Sequence, residues 1–195
     1  MKVCLIGMSN VGKSHWSREL EKKGFKRIAC DVLIGKKLGT QNLGQWLGQP
    51  YELDYRKKSE EFQHAEQKVI EEILVAIEEA KNEDIVVDTG GSVIYLRQDI
   101  LQKLKRLAKI VYLEAPVSVI KDMQEIYFKN PKSVIWGTIF EKREDETNEQ
   151  AIVRCYPKLL ETRAKKYEEL ADVTLDYYEL RSPGFTTEKF IEKIQ

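Results

Sequence analysis

The sequence predicts a three-layer α/β/α fold on a five-stranded parallel sheet, and three observations carry the prediction. Short, mostly β-branched apolar runs at residues 3–6, 85–87 and 109–113 are continuous rather than alternating, as in strands buried on both faces. Helical spacing fills the intervals between them, and strands alternating with helices give a parallel sheet covered on both sides. The first run enters a glycine-rich turn that opens into a helix, Gly7-x-x-x-x-Gly12-Lys13-Ser14, a spacing that cradles phosphate.

Taken in order, strand one covers residues 3–6 and a helix follows from Lys13 to Lys23, stopped by Gly24. Residues 25–30 form a second short strand. Asp31 follows at once, as a helix cap or as a site residue, and that helix closes at Gly39. A short helix over 42–47 ends at Gly48-Gln49-Pro50, and the charged, aromatic stretch 51–58 reads as a loop. A long helix then runs from about Ser59 to Lys81: Phe62, Val69, Ile70, Ile73 and Ile77 recur at helical spacing, with Glu66 the one charged member of the stripe. Strand three is 85–88, followed by the turn Thr89-Gly90-Gly91-Ser92. A helix over 97–107, strand four at 109–113, a helix from Pro116 to Phe128, a charged segment over 141–149, a helix over 156–170, strand five at 173–175 and a last helix over 186–194 complete the chain.

Composition sets the outer limits. The 195 residues suit one domain, with 42% hydrophobic and 33% charged residues and 32 basic against 32 acidic side chains. A balanced charge gives no overall field for nucleic acid or an anionic membrane. Cys4, Cys30 and Cys155 are too widely spaced for a metal site and read as buried thiols of a reducing compartment. No run approaches a membrane span and no basic leader precedes an apolar segment, so a cytoplasmic protein is expected.

The candidate chemistry gathers at the carboxyl ends of the strands, where ligands bind in open α/β sheets. Gly7, Ser9, Asn10, Val11, Gly12, Lys13, Ser14 and His15 form a phosphate loop. Its glycines let the backbone approach phosphate, and the helix start aims unpaired N–H groups at the same anion. Lys13 reaches the β- and γ-phosphates, and the Ser14 hydroxyl ligates Mg²⁺. Asp31 orients or deprotonates a hydroxyl, and Asp88 ends its strand where a metal-facing carboxylate sits.

Along most of its length the sequence resembles the shikimate kinases, small-molecule kinases of the P-loop class. Asp31-Val32-x-Ile34 with Leu38-Gly39 looks like the stretch whose aspartate contacts substrate hydroxyls. Thr89-Gly90-Gly91-Ser92-Val93 looks like the substrate-touching glycine loop. Pro131-Lys132-Ser133-Val134-Ile135 sits where a mobile lid, about 129–155, carries a basic residue to the γ-phosphate. Leu160-Glu161-Thr162-Arg163-Ala164 matches the helix whose arginine faces substrate carboxylate or phosphate, and Arg181-Ser182-Pro183-Gly184 the loop that packs on adenine.

The resemblance implies a single P-loop kinase domain over 1–195 that uses ATP and Mg²⁺ on a small hydroxyl-bearing substrate. Lys13, Asp31, Lys132 and Arg163 would be catalytic. Arg181 and Pro183 would join the nucleotide site, and Gly90, Gly91 and Arg163 the acceptor site. The departures concern the acceptor. A metal-shell aspartate is replaced by Ala29, and Asp88 is its stand-in. The clamp arginine of a Phe-Arg-x-x-Glu motif is Gln63, in Phe62-Gln63-His64-Ala65-Glu66, and Arg56 is its candidate substitute. Two other readings compete: a nucleotide-binding protein without turnover, and a GTPase switch. The second is suggested by Asn10-Val11-Gly12-Lys13-Ser14 and Asp88-Thr89-Gly90-Gly91 but lacks an Asn-Lys-x-Asp motif. The expected assembly state is a monomer or weak dimer.

Overall fold

A computed structural model describes residues 1–129 and 132–195; Asn130 and Pro131, at the start of the expected lid, lie outside the described residues. Five parallel strands form one sheet: β1 (Lys2–Ile6), β2 (Lys26–Ala29), β3 (Ile85–Asp88), β4 (Lys109–Leu113) and β5 (Val173–Leu175), in the order β2-β3-β1-β4-β5. β1 is central because it is apolar beyond Lys2; Val3, Cys4, Leu5 and Ile6 are fully buried. Its neighbours β3 and β4 lie on opposite sides, so the chain order reverses at the carboxyl end of β1. That is the switch point where a crevice opens, and the glycine-rich loop leaves β1 there.

Among the described residues eight α-helices cover the sheet: α1 (Lys13–Lys22), α2 (Cys30–Leu38), α3 (Leu43–Leu47), α4 (Tyr55–Glu79), α5 (Gln98–Leu107), α6 (Ile120–Lys129), α7 (Asn148–Leu170) and α8 (Thr187–Ile194). Trp16 of α1 stacks on Phe190 of α8, ring centroids 4.6 Å apart, and so belongs to the core. The thiols of Cys4, Cys30 and Cys155 are all free and buried.

Three features differ from expectation. Residues 55–58 are helix rather than loop, because Tyr55, the first residue of α4, is held by the chain beyond α6. Its hydroxyl donates to the Val134 carbonyl at 2.7 Å and accepts from the Trp136 amide at 2.9 Å. α7 starts at Asn148, not near Tyr156, behind a capping box in which Thr147 accepts from the Gln150 amide and Gln150 returns the bond. Pro157 therefore lies inside a helix, where it removes the bond to the Val153 carbonyl. The Gln124 side chain of α6 donates to that carbonyl at 3.0 Å, which satisfies it. Finally, Ala29 is the N-cap of α2 and Asp31 stands in its first turn, so Asp31 is not the cap. A carboxylate there still meets the positive end of the helix.

Candidate active site

A cleft of about 980 Å³ opens at the carboxyl edge of the sheet. Ser9, Asn10, Gly12, Lys13, Ser14 and His15 line one side, and Asp31, Asp88, Gly90, Gly91 and Lys132 face them. The loop's geometry follows from its sequence. Gly7 has φ 138° and Gly12 φ 113°, in the region that L side chains avoid, and Asn10 takes φ 66°. At Gly7 the need is doubled, because a Cβ there would stand 2.6 Å from the Leu113 carbonyl oxygen. Gly7 thus serves the loop by packing on β4; Gly7 and the buried Val11 do not line the cleft. The Lys13 ammonium donates to the carbonyls of Gly7 at 2.8 Å and Met8 at 2.7 Å. Burial pulls its pKa below the ordinary value, while Asp88 and Asp31 pull it back up. Ser14 and His15 are exposed at the mouth.

The two carboxylates sit differently. Asp31 reaches solvent through the cleft, yet the surrounding walls crowd its carboxyl. That desolvation raises its pKa; Lys13 and Lys132 oppose the rise and Asp88 adds to it. Asp88 is buried and ion-paired: Arg27 Nη2 donates to its Oδ2 at 3.0 Å and Ser17 Oγ donates to the same oxygen at 3.2 Å. Of the basic residues in and around the lid stretch, Lys132 lines the cleft. Lys129 faces Glu125, and Arg154 is engaged with Glu146 and the Glu141 carbonyl.

The acceptor-side arginines are not where the sequence suggests. Arg56 has 93% of its side chain exposed and pairs with Glu60 on its own helix, outside the cleft lining. Gln63 turns back to donate to the Ser59 carbonyl at 3.2 Å. Arg163 is only 2% exposed and lies beneath the glycine loop. Its Nη2 donates to the Ile135 carbonyl at 2.7 Å and its Nε donates to the Tyr95 hydroxyl at 3.3 Å. Arg181 packs on the phosphate loop from outside, donating to the Val11 carbonyl at 3.0 Å with its guanidinium 3.6 Å from the Tyr177 ring centroid. Pro183 is exposed, two residues on.

Several site residues escaped the sequence reading. Glu66 is 1% exposed, and its Oε1 has no hydrogen-bond partner among the described residues. It sits against Gly90, where a Cβ would be 2.8 Å from Glu66 Oε1 and 3.3 Å from Asp31 Oδ1. Gly90 is glycine because two carboxyls converge on it. Burial lifts the Glu66 carboxyl to about 7; Ser92 and Arg163 pull it down and Asp31 pushes it up. Its signal was present as the lone charge in an apolar helical stripe. Arg27, a cation on a strand, was a second signal. Arg18, Lys36 and the wall from Thr40 to Gly44 also line the cleft, and nothing local marks them.

A glycine-rich strand-to-helix loop, its buried lysine, and carboxylates on the opposite lip define a P-loop small-molecule kinase. The shikimate kinase family model matches residues 9–195, and the chain belongs to that family. Solved structures share the fold. The shikimate kinase from Acinetobacter baumannii in complex with shikimate is 23% identical, with 98% of this chain and 89% of that chain covered and a TM-score of 0.63. The shikimate kinase from Bacteroides thetaiotaomicron is 18% identical over 99% of this chain and 95% of that chain, TM-score 0.64. The one from Aquifex aeolicus is 18% identical over 100% and 94%, TM-score 0.60. No curated protein matches the chain by sequence. The enzyme is thus an ATP-dependent small-molecule kinase rather than a GTPase switch. No helix among the described residues is long and apolar enough to cross a membrane.

Proposed function

We propose that the chain transfers the γ-phosphoryl group of ATP to a hydroxyl of a small polyhydroxylated acceptor, and that acceptor binding does not rest on a carboxylate clamp from α4. The observation that carries this is the composition of the acceptor wall. Gln63 is turned onto Ser59, Arg56 is in solvent, and Arg163 is engaged beneath Gly91. No bidentate cationic fork therefore faces the acceptor from α4. Asp31 offers an acceptor oxygen to the reacting hydroxyl, and its crowded, raised carboxyl is the better base for it.

Phosphoryl transfer asks a protein mainly for positioning and charge neutralisation. Lys13 exchanges its two loop carbonyls for phosphate oxygens. Lys132 approaches the transferring group as the lid over 129–155 closes, which keeps water out. Arg163 acts from beneath the glycine loop, while Arg181 and Pro183 flank the base. The donor set fits magnesium–nucleotide. Ser14 is exposed to the cleft and both hydrogen bonds to Asp88 fall on Oδ2, leaving oxygen donors of the kind that hold magnesium together with waters and phosphates. Bound there, Mg²⁺ would neutralise phosphate charge. The expected setting is the cytoplasm, as a monomer or weak dimer without nucleic acid or membrane partners.

The test is ADP release from MgATP with shikimate, its methyl ester and neutral cyclic polyols, with Lys13→Ala as blank. Acid and ester should have KM values within about threefold. A preference for the acid of ten- to a hundred-fold, the worth of about 1.5–3 kcal/mol for one charge-assisted contact, would overturn the clamp-free reading. Binding of MgATP without transfer to any hydroxyl compound would favour the non-catalytic reading, for which the absent carboxylate at Ala29 is the motive.

A further inference from the structure

Ala29 and Asp88 are register partners across β2 and β3. Arg27 precedes Ala29 by two residues and so points to the same face of β2. With only a methyl group at 29, the Arg27 guanidinium reaches Asp88. Nη2 donates to Asp88 Oδ2 at 3.0 Å and Nε donates to Ser17 Oγ at 2.7 Å; Ser17 Oγ in turn donates to Asp88 Oδ2 at 3.2 Å. The ring is closed and sheltered, with 19% of the Arg27 side chain and 7% of the Asp88 side chain exposed. Ser17 is one helical turn past Ser14, on the same face of α1. Every hydrogen bond to the Asp88 carboxylate among the described residues falls on Oδ2.

We propose that Arg27 and Ser17 are positioning residues for the cation–nucleotide complex: they fix the Asp88 carboxylate through Oδ2 and leave Oδ1 as the oxygen offered to the cleft beside Ser14. This rests on the reading of Asp88 as a magnesium-facing group. A lone carboxylate at a strand end is free to rotate; two donors converging on one of its oxygens restrict that freedom. Here the ion pair does the orienting that a second carboxylate at position 29 has no side chain to do. Arg27 does not line the cleft and acts only through Asp88.

The experiment is ADP binding by calorimetry, in excess Mg²⁺ and in EDTA, on the full chain. The quantity read is the ratio of the two affinities, which a merely structural role would not move. Arg27→Met should lower that ratio about tenfold, the scale of one charge-assisted contact, with affinity in EDTA within twofold of wild type. Arg27→Lys should recover part of it, since a point charge cannot bridge Ser17 and Asp88 as a fork does. Ser17→Ala should lower it less. Asp88→Asn should bring the ratio close to one. A wild-type or increased ratio in folded Arg27→Met, with Asp88→Asn impaired, overturns the role of Arg27 alone. An unchanged ratio in Asp88→Asn overturns the magnesium reading of Asp88 and this proposal with it. Should Arg27→Met fail to fold, Arg27→Lys and Ser17→Ala carry the same readout, and wild-type ratios in both overturn the proposal.

Discussion

On the phosphate side of the cleft, Ser9, Asn10, Gly12, Lys13, Ser14 and His15 nearly follow one another in the chain. On the acceptor side, Asp31, Thr40, Phe62, Gly90 and Lys132 come from five separate segments. In the proposed function the phosphate side binds with backbone N–H groups and one lysine, so its chemistry is fixed once the loop's φ angles are fixed. The acceptor side would bind with side chains, whose direction depends on what packs behind them. Gln63 is the example: it keeps the helical position of a clamp residue, yet Ser59 draws its amide away from the cleft.

The largest test of this contrast is Lys13→Ala. Lys13 bonds only to loop carbonyls in this structure, so its loss should leave the fold intact. Removing a preorganised charge stabiliser should lower kcat by about 10²–10³-fold, and full activity in the mutant would break the phosphate-loop assignment.

Next in size is Glu66→Gln, which asks whether the acceptor wall holds a protonated carboxyl. The Glu66 pKa stands at about 7 in the folded chain against an ordinary 4.5. The native state therefore keeps a proton that the unfolded chain releases between those values. Stability from this group is full below about pH 4.5 and is lost as pH rises through 7, by about 3 kcal/mol at the most. Urea unfolding at pH 5 and pH 8 should show wild type losing more stability than Glu66→Gln over that interval. Parallel pH dependences would place the Glu66 carboxyl in its ionised state throughout.

The smallest expected effect sharpens the contrast most. Gln63→Arg returns a guanidinium to α4 and should lower the KM for shikimate about tenfold while leaving the methyl ester and ATP unchanged. Equal effects on acid and ester would show that position 63 does not address a carboxylate.

Much of the fold was legible because its signals are local. Continuous apolar runs marked three of the strands, and glycines marked the loop and the ends of α1 and α2. Two departures from the expected helices were not local events. Tyr55 joins α4 because its hydroxyl bridges Val134 and Trp136 some eighty positions away, and Pro157 is tolerated inside α7 because Gln124 of another helix takes the carbonyl it frees. At the site, Lys13, Ser14, Asp31 and Lys132 were all named from the sequence and all line one cleft. Arg56 was named and does not.

By itself, the sequence determined that a phosphate loop follows the first strand, that the sheet is parallel, that one carboxylate ends the third strand and that another follows close on the second. Each of these depends on residue types a few positions apart, where chain geometry leaves little choice. Only the tertiary structure decided that Arg27 and Ser17 hold Asp88, that Glu66 lies buried against Gly90, and that Arg56 of α4 stays outside the cleft. Those are relations between side chains far apart in sequence, and packing, burial and ion pairing fix them once the whole chain has closed on its core.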